Sequence, residues 1–219
     1  MVALKWDQVG EKEFETGVER GVLYKRDGAG AYNTGFAWNG LVAVTEKPSG
    51  ADSNKQYADN RVYLNLVSAE EFGGTIEAFT YPPEFAACDG TAEVKAGVYV
   101  GQQNREPFGL SYRTIVGNDV DGNDFGYKLH LVYGALAAPS EKGYTTVNDA
   151  PAPITFSWDF TTTPVDVPNL KPSAIITIDS TKVAAADLLA LEALLYGDVT
   201  NEPELPLPAD VFALFTTAP

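Results

Sequence analysis

The sequence predicts a mainly β protein, a sandwich or barrel with one flanking α-helix near the C-terminus. From Ile154 to Phe160, bulky apolar residues alternate with small polar ones, which is the period of two that a half-buried strand requires. The same alternation runs through residues 127–133. Helical spacing is convincing only near residue 190, and no alternating β-α-β pattern occurs, so the series of elements favours an all-β sandwich or barrel with a flanking helix.

In the first third of the chain, the pattern predicts strands at residues 21–26 and 36–46, separated by the Gly-rich turn 27–30. Residues 47–55 (KPSGADSNK) are polar and contain Pro and Gly, which predicts an exposed loop. A strand is expected at 61–67, where Tyr63 and Leu64 would point to opposite faces.

Residues 68–71 (SAEE) fit a helix capping box. Gly73 and Gly74 follow at once, however, and residues 75–81 alternate like a strand, so we interpret the segment as a strand with a bend. Residues 83–88 predict one helical turn with Pro near its start, ended by Asp89-Gly90.

The second half of the chain predicts a dense series of strands. Their expected ranges are 92–100, 108–116, 127–135, 145–148, 154–163 and 174–178. Between the last two, three prolines in nine residues (PVDVPNLKP) predict a stiff, extended connector.

A helix is predicted after residue 179. Asp179 or Ser180 could cap it and Gly197 could end it, while an apolar face at helical spacing would comprise Ala184, Leu188, Leu191 and Leu195. The prolines of the following tail predict extended chain, and its apolar end (211–215) needs a partner surface. We therefore expect a β-sandwich domain at 1–179, and a helix with a Pro-rich tail at 180–219 that packs on the same domain or on a neighbouring subunit.

The chain resembles the phage major tail protein family, whose members form the tail tube of long, non-contractile-tailed bacteriophages. The densest likeness is in Gly101-Gln-Gln-Asn104, Phe108-Gly-Leu-Ser-Tyr-Arg113, Gly117-Asn-Asp-Val-Asp-Gly122, residues 126–142 (GYKLHLVYGALAAPSEK) and Ile154-Thr-Phe-Ser-Trp158. It extends through Gly17-Val-Glu-Arg-Gly-Val-Leu-Tyr24, Trp38-Asn-Gly-Leu41, Tyr57-Ala-Asp-Asn60, Ser68-Ala-Glu-Glu-Phe72, Tyr81-Pro82, Glu84-Phe85, Cys88-Asp-Gly90 and Leu205-Pro-Leu-Pro208. The likeness spans nearly the whole chain in order, and it is weakest at the extreme N-terminus and near residue 190.

The resemblance implies a structural subunit of the virion tail, without catalytic activity or cofactor. It implies two packed sheets and long hairpins that join neighbouring copies into hexameric rings with a continuous inner sheet. Those rings would be assembled in the host bacterial cytoplasm and stack around a tape-measure protein, with tail terminator and distal tail proteins at the ends. We expect residues 47–55, the N-terminal arm and the Pro-rich tail to make contacts between subunits or rings.

The net charge of −15 over 219 residues is the outstanding bulk property. A surface this acidic disfavours general nucleic-acid binding, which needs clustered Lys and Arg. The charge also keeps monomers soluble by mutual repulsion. In a tube, acidic walls would repel the phosphate backbone, so that DNA could pass without specific binding.

Signals for export or membrane insertion are not found in the sequence. Charged residues begin at Lys5, so the N-terminus lacks the apolar core of a signal peptide. No apolar run approaches the roughly 20 residues that span a bilayer. We expect a protein made in a cytoplasm, without a membrane partner.

The one candidate metal-binding segment is 119–124, with Asp119, Asp121 and Asp124. It lacks the EF-hand spacing and the closing Glu of a calcium loop. A hairpin turn stabilised by Asp, Asn and Gly explains the same residues without a metal, and we favour that interpretation.

The sequence gives little indication of a group of catalytic residues. His130 is the only histidine and Cys88 the only cysteine, so they would form the sole nucleophile–base pair. His130 lies mid-strand opposite Leu129 and Leu131, which favours packing or an intersubunit hydrogen bond. Cys88 is expected to pack as a small hydrophobe.

The best rival function is a monomeric β-sandwich module that binds carbohydrate or a host surface. Trp6, Trp38 and Trp158 could form its aromatic platform, although the register of Trp158 with Phe156 and Phe160 favours a core position. Paired acids such as Glu70 with Glu71, or Asp119 with Asp121, could serve a glycosidase, but the sequence does not set their separation.

Overall fold

The computed structural model describes residues 3–147, 149 and 152–215. The fold is mainly β, with 45% strand and 11% helix, so the predicted fold class is confirmed. The sheets are antiparallel, and the arrangement is consistent with a β-sandwich rather than a closed barrel.

The strands, in chain order, are β1 Phe14–Lys25, β2 Thr34–Trp38, β3 Leu41–Glu46, β4 Ser49–Gly50, β5 Ser53–Ala58, β6 Arg61–Val67, β7 Glu70–Glu71, β8 Gly73–Ala78, β9 Ala92–Lys95, β10 Val98–Val100, β11 Phe108–Asn118, β12 Gly122–Ala137, β13 Phe156–Thr162 and β14 Ile175–Asp179. The helices are α1 Phe85–Cys88, α2 Ala185–Tyr196 and α3 Pro208–Leu214.

One eight-stranded sheet forms the body, in the order β2-β1-β11-β12-β13-β8-β3, with β14 paired to β12. Its two end strands, β2 and β3, follow each other along the chain and are joined by Asn39 and Gly40. Because so short a connection cannot bridge a flat sheet of this width, the sheet must fold over on itself. The two packed layers of the sandwich are therefore formed by one curled sheet.

The curled sheet encloses the first hydrophobic core. Trp158 is completely buried there, and its ring packs against Trp38, Tyr81, Phe85 and Phe156 at centroid distances of 5.2–5.8 Å. Aromatic rings in such edge-on and stacked pairs add stabilisation beyond the area they bury. The predicted alternation of β13 thus directs Trp158 and Phe160 inward as expected.

The opposite face of β1, β12 and β14 carries the second hydrophobic core. Tyr24, Leu131 and Tyr133 lie against the buried face of α2, formed by Leu188, Leu191 and Leu195. The tail closes this core, since Leu205 and Val211 are also buried in it. The described part of the segment after residue 180 thus packs against the sheet of its own chain, and contacts of this segment with a neighbouring subunit stay a prediction.

Several predicted elements are divided by tight turns. The expected strand 36–46 is β2 and β3, separated at Gly40 with φ +73°, and the expected strand 92–100 is the hairpin β9–β10, separated at Gly97 with φ +76°. Glycine adopts this left-handed conformation without a steric penalty. The bent strand expected after residue 68 is confirmed as β7 and β8.

Four local predictions are wrong. The expected loop 47–55 contains β4 and the start of β5. Residues 145–147 form no strand, and the last residue of that prediction, 148, lies outside the described residues. Helix α2 begins at Ala185, and its N-cap residue is Ala184, which has no side-chain cap; the Asp179 carboxylate and the Ser180 hydroxyl instead accept hydrogen bonds from the backbone amides of Thr181 and Tyr127. The tail is not simply extended, since α3 starts at Pro208, a favourable first position in a helix.

Candidate assembly surfaces

The most unusual surface is a two-stranded arm, residues 49–71, formed by β4–β7 and β5–β6. Every residue of the arm is exposed. The exposed side chains include large apolar ones, with Tyr57 at 70%, Tyr63 at 69% and Val67 at 60% exposure, together with Val62, Leu64 and Leu66. Two strands of six and seven residues extend roughly 20 Å. The arm is therefore a long ribbon with apolar side chains that the rest of the described chain does not cover.

The distal part of the arm is a hairpin with one irregularity in its register, between Gln56 and Tyr57. Asp59 and Asn60 at its tip have φ of 51° and 59°, as a type I′ turn requires. The register pairs Asn54 with Leu66 and Gln56 with Leu64, so these four side chains share one face, on which the Gln56 amide donates to Asn54 Oδ1 at 3.0 Å. Two-stranded ribbons are marginal alone in water, and their outer edges expose unpaired backbone groups.

A smaller ribbon and the N-terminal segment are also exposed. In the hairpin β9–β10, Val94, Val98, Tyr99 and Val100 are 44–59% exposed. In the N-terminal segment, Leu4, Trp6 and Val9 are 75–82% exposed. Together with the arm, they make three apolar projections from one body.

The long hairpin β11–β12 has the three acidic candidates at its tip. The Gly10 amide donates to Asp119 Oδ1 at 2.9 Å, which fixes the N-terminal segment to the tip. The Asn118 side-chain amide donates to Asp121 Oδ2 at 3.2 Å, and the Asp124 amide donates to the Asp121 carbonyl at 3.2 Å. These contacts are those of a turn, as predicted, and no group of three or more metal-ligating residues occurs in the described ranges.

His130 is part of a compact polar cluster. Its ring stacks on Tyr112 with a centroid distance of 4.6 Å, and its nitrogens lie 3.0 Å from Thr114, 3.4 Å from Thr177 and 3.4 Å from Glu46. The Tyr112 hydroxyl donates to Glu46 at 2.7 Å. Burial lowers the pKa of His130, although the carboxylate of Glu46 acts in the opposite direction. The expectation of strand packing fits this environment.

Cys88 does not share the His130 cluster. It is fully buried in the first core, and burial raises the pKa of its thiol to about 12. A nucleophilic cysteine needs a lowered pKa and access to solvent. The structure thus confirms the prediction of packing for Cys88 and gives no support to a Cys–His pair.

The residues suggested for carbohydrate chemistry are not brought together. Glu70 and Glu71 are consecutive in β7, so their side chains point to opposite faces. Trp38 and Trp158 are 3% and 0% exposed, and only Trp6 lies on the surface. A platform made of the three tryptophans is therefore not present.

A charged cluster joins the body to α2. The Arg113 guanidinium donates to Glu19 at 2.7 Å, lies 3.8 Å from Glu192 and stacks over the Tyr127 ring at 4.2 Å. The Tyr127 hydroxyl donates to Glu192 at 2.9 Å. One arginine thus connects β1, β11, β12 and α2, a structural role that the sequence pattern alone did not indicate.

The outer face of the C-terminal helices is apolar as well. In α2, the exposed positions are Ala185, Ala186, Leu189, Ala190 and Ala193, and in α3 they include Ala209, Phe212 and Ala213. A helix on a protein surface normally has polar residues on its outer face, and one that is apolar all round is normally buried. The sequence showed only the inner face of α2, because the outer alanines carry no periodic signal.

The chain matches no known family model and no curated protein. The likeness to phage major tail proteins therefore depends on the residues quoted above. Among the described residues, no helix is long and apolar enough to cross a membrane.

Proposed function

We propose that this protein is a structural subunit of a bacteriophage tail tube. Copies of the chain would associate into hexameric rings, and the rings would stack around a tape-measure protein into a tube that conducts DNA to the host. Tail terminator and distal tail proteins would close the two ends. The protein would have no catalytic role and would act in the virion tail.

The observation that carries the proposal is the arm at 49–71. Six large apolar side chains are exposed on it, and both outer edges of the hairpin are unpaired in the described sheet pairing. Exposed strand edges and apolar ribbons of this kind mark sites of self-association. A ring closed by such contacts would cover these surfaces in every copy.

Negative-stain electron microscopy of the full chain at increasing concentration, together with sedimentation velocity, tests the proposal. Rings or hollow tubes with six subunits per ring are the expected result. A particle that stays monomeric at all concentrations, also when tape-measure and tail initiator proteins are supplied, would contradict it.

The acidic charge has a second consequence under this proposal. Carboxylates that line the bore would repel DNA and prevent it from adhering during ejection. Once the tube density identifies those residues, their replacement by Asn or Gln should slow DNA release. Unchanged release would leave solubility as the only role of the charge.

A further inference from the structure

We propose that strand β6 is the pairing edge of the arm and that it adds to the open edge of strand β2 in a second copy of the chain. This inference rests on the proposed self-association and deepens it by naming the strand edges that meet. Three observations carry it: the different composition of the two arm strands, the direction of the backbone groups of β6, and a groove beside β2.

The two long strands of the arm differ in composition. Strand β5 (SNKQYA) has one large apolar residue, whereas β6 (RVYLNLV) has five. Leu64 and Leu66 lie on one face of the ribbon, and Tyr63 and Val67 lie on the other. A strand that is apolar on both faces is typical of the interior of a sheet, while polar and charged residues are typical of an edge strand. The composition therefore assigns β6 to the interior of an intermolecular sheet and β5 to its outer edge.

Strand β6 contains no acid. Its only charged residue is Arg61, and no carboxylate of the described residues forms a salt bridge with Arg61. The four acids of the arm lie outside this strand, one at the tip and three towards the root: Asp59, Asp52, Glu70 and Glu71. In a chain of net charge −15, β6 can thus approach a second copy without bringing its own carboxylates against those of that copy.

The turn at the tip determines the direction of the backbone groups. Residues 59–60 form a two-residue turn, so the flanking residues Ala58 and Arg61 are a hydrogen-bonded pair. Hydrogen-bonded and non-hydrogen-bonded pairs alternate in an antiparallel ladder. The next pair, Tyr57 and Val62, therefore directs its N–H and C=O groups to the two outer edges of the ribbon. On the apolar edge, the groups of Val62 are available to a further strand.

Three strands of the body have an unpaired edge in the described sheets: β2, β3 and β14. The open edge of β14 is short, because the Ile175 amide donates to the Ser173 hydroxyl at one end and the Lys182 amide donates to the Asp179 carbonyl at the other. Strand β3 ends in an acid, Glu46, and leads directly into the arm of its own chain. Strand β2 (TGFAW) is uncharged, and it is the edge that best fits an apolar strand.

A groove of about 400 Å³ lies beside β2. Residues 35–37 of the strand line one side, and residues 80–84 (TYPPE) line the other. Glu84 is the only charged residue of the groove, and no Lys or Arg of the described residues forms a salt bridge with it. The groove thus combines an apolar wall with one carboxylate, which complements an apolar strand with one guanidinium.

Proline substitution on the two edges of the arm is the first test. Val62→Pro removes the outward amide of β6, and Tyr57→Pro removes the equivalent amide of β5, so neither variant loses a hydrogen bond of the hairpin. Val62→Pro should raise the concentration needed for assembly at least about tenfold. Tyr57→Pro should assemble within about threefold of the wild-type concentration. Val62→Ile keeps both the amide and the apolar side chain, and it should assemble like the wild type.

Cross-linking tests the receptor. Asn65→Cys and Ala37→Cys proteins, mixed under assembly conditions and treated with a short bis-maleimide, should give a linked dimer that neither protein gives alone in comparable yield. Ala37 is exposed in β2, whereas Cys88 is buried with a thiol pKa of about 12 and does not compete. Val120→Cys is the matched control for Ala37→Cys, because Val120 is 61% exposed and lies at the tip of β11–β12.

Charge exchange tests the pairing of Arg61 with Glu84. Arg61→Glu and Glu84→Arg should each raise the concentration needed for assembly about tenfold, because each places like charges together. The double variant should return to within about threefold of the wild type. Glu84 precedes α1 without a side-chain capping bond, so its replacement does not remove a cap. Lys171→Glu, at an exposed position outside the arm, makes the same change in net charge as Arg61→Glu and should have little effect.

The outcomes separate this contact from the tube proposal. Equal loss of assembly in Val62→Pro and Tyr57→Pro, or equal linking of Asn65→Cys to Val120→Cys and Ala37→Cys, would overturn the contact of β6 with β2 and leave the tube proposal standing. The same conclusion would follow if Val62→Pro assembled normally but no longer bound a tape-measure or tail initiator protein, because the edge would then belong to that protein. A wild-type chain that never assembles would overturn both.

Discussion

Strands β6 and β12 have similar amino-acid sequences, but the side chains of β6 are exposed and those of the central part of β12 are mostly buried. Strand β6 reads RVYLNLV, and the central part of β12 reads YKLHLVY. Leu129, Leu131 and Val132 of β12 are completely buried, whereas Leu64, Leu66 and Val67 of β6 are about half exposed or more. Local sequence therefore specifies a strand in both places, and only the neighbours decide whether its apolar side chains are covered.

This difference in burial indicates whether the apolar side chains of each strand stabilise the single chain or an assembly of several copies. Strand β12 is bonded on both sides, by β11 and by β13 and β14, so its side chains contribute to the folding of the single chain. The arm is bonded only to itself in the described pairing, so its apolar residues contribute to stability only when a second molecule covers them. Substitutions in the two strands should therefore affect different measurements.

The largest expected effect comes from one acidic substitution in each strand. Val132→Asp places a carboxylate in a fully buried position and should destabilise the monomer by at least about 4 kcal/mol. Leu64→Asp should change the free energy of unfolding by less than about 0.5 kcal/mol and abolish assembly. Urea unfolding and sedimentation measure the two effects, and a large loss of monomer stability for Leu64→Asp would contradict the comparison.

Next in size is the tail. Leu205 is 2% exposed and lies in the second core, while Leu207, two residues on, is 38% exposed. Leu205→Ala should cost about 2–4 kcal/mol of stability, and Leu207→Ala less than about 0.5 kcal/mol. A deletion of 201–219 should consequently destabilise the monomer itself, which chemical denaturation would detect. Equal effects of the two alanine variants would mean that the tail packs elsewhere.

Arg113→Met should have an intermediate effect. It leaves the carboxylates of Glu19 and Glu192 without their cation, and we expect a loss of about 2 kcal/mol. Lys171→Met is the matched control, because Lys171 is exposed and outside that cluster. Thermal and urea unfolding of both variants measure the difference, and no difference would show that the cluster does not connect the body to α2.

The smallest expected effect is a change in the pH dependence of stability at acidic pH, caused by His130→Gln. Burial lowers the pKa of His130 in the folded protein, so the unfolded chain takes up the proton first, at a pKa of about 6.5. The stability of the wild type should therefore fall as the pH drops below about 6.5 until the lower, folded-state pKa is passed. Urea unfolding at several pH values should show a weaker dependence for the variant, and identical curves would contradict the assignment.

The positions where prediction failed share a physical cause. The Asn39-Gly40 pair is a recognisable hairpin signal, but the apolar residues on both sides of it favoured one strand over two. At 47–55, polar composition predicted a loop, although backbone pairing between 49 and 71 forms a ribbon there. Composition is a poor guide to strand pairing, because backbone pairing forms strands from polar residues as well as from apolar ones, as the polar β5 and the apolar β6 of one hairpin show.

Periodicity, turn chemistry and charge determined the mainly β class, the inward register of Trp158, the acidic hairpin turn at 119–124 and the inner face of α2. These depend on residues close together in sequence, so a local pattern is sufficient to specify them. Only the tertiary structure decided that one sheet curls between β2 and β3, that the tail closes the second core, and that the arm and the outer faces of α2 and α3 are left uncovered. Those features depend on contacts between segments that are distant in sequence, and the burial of a side chain depends on both segments in such a contact.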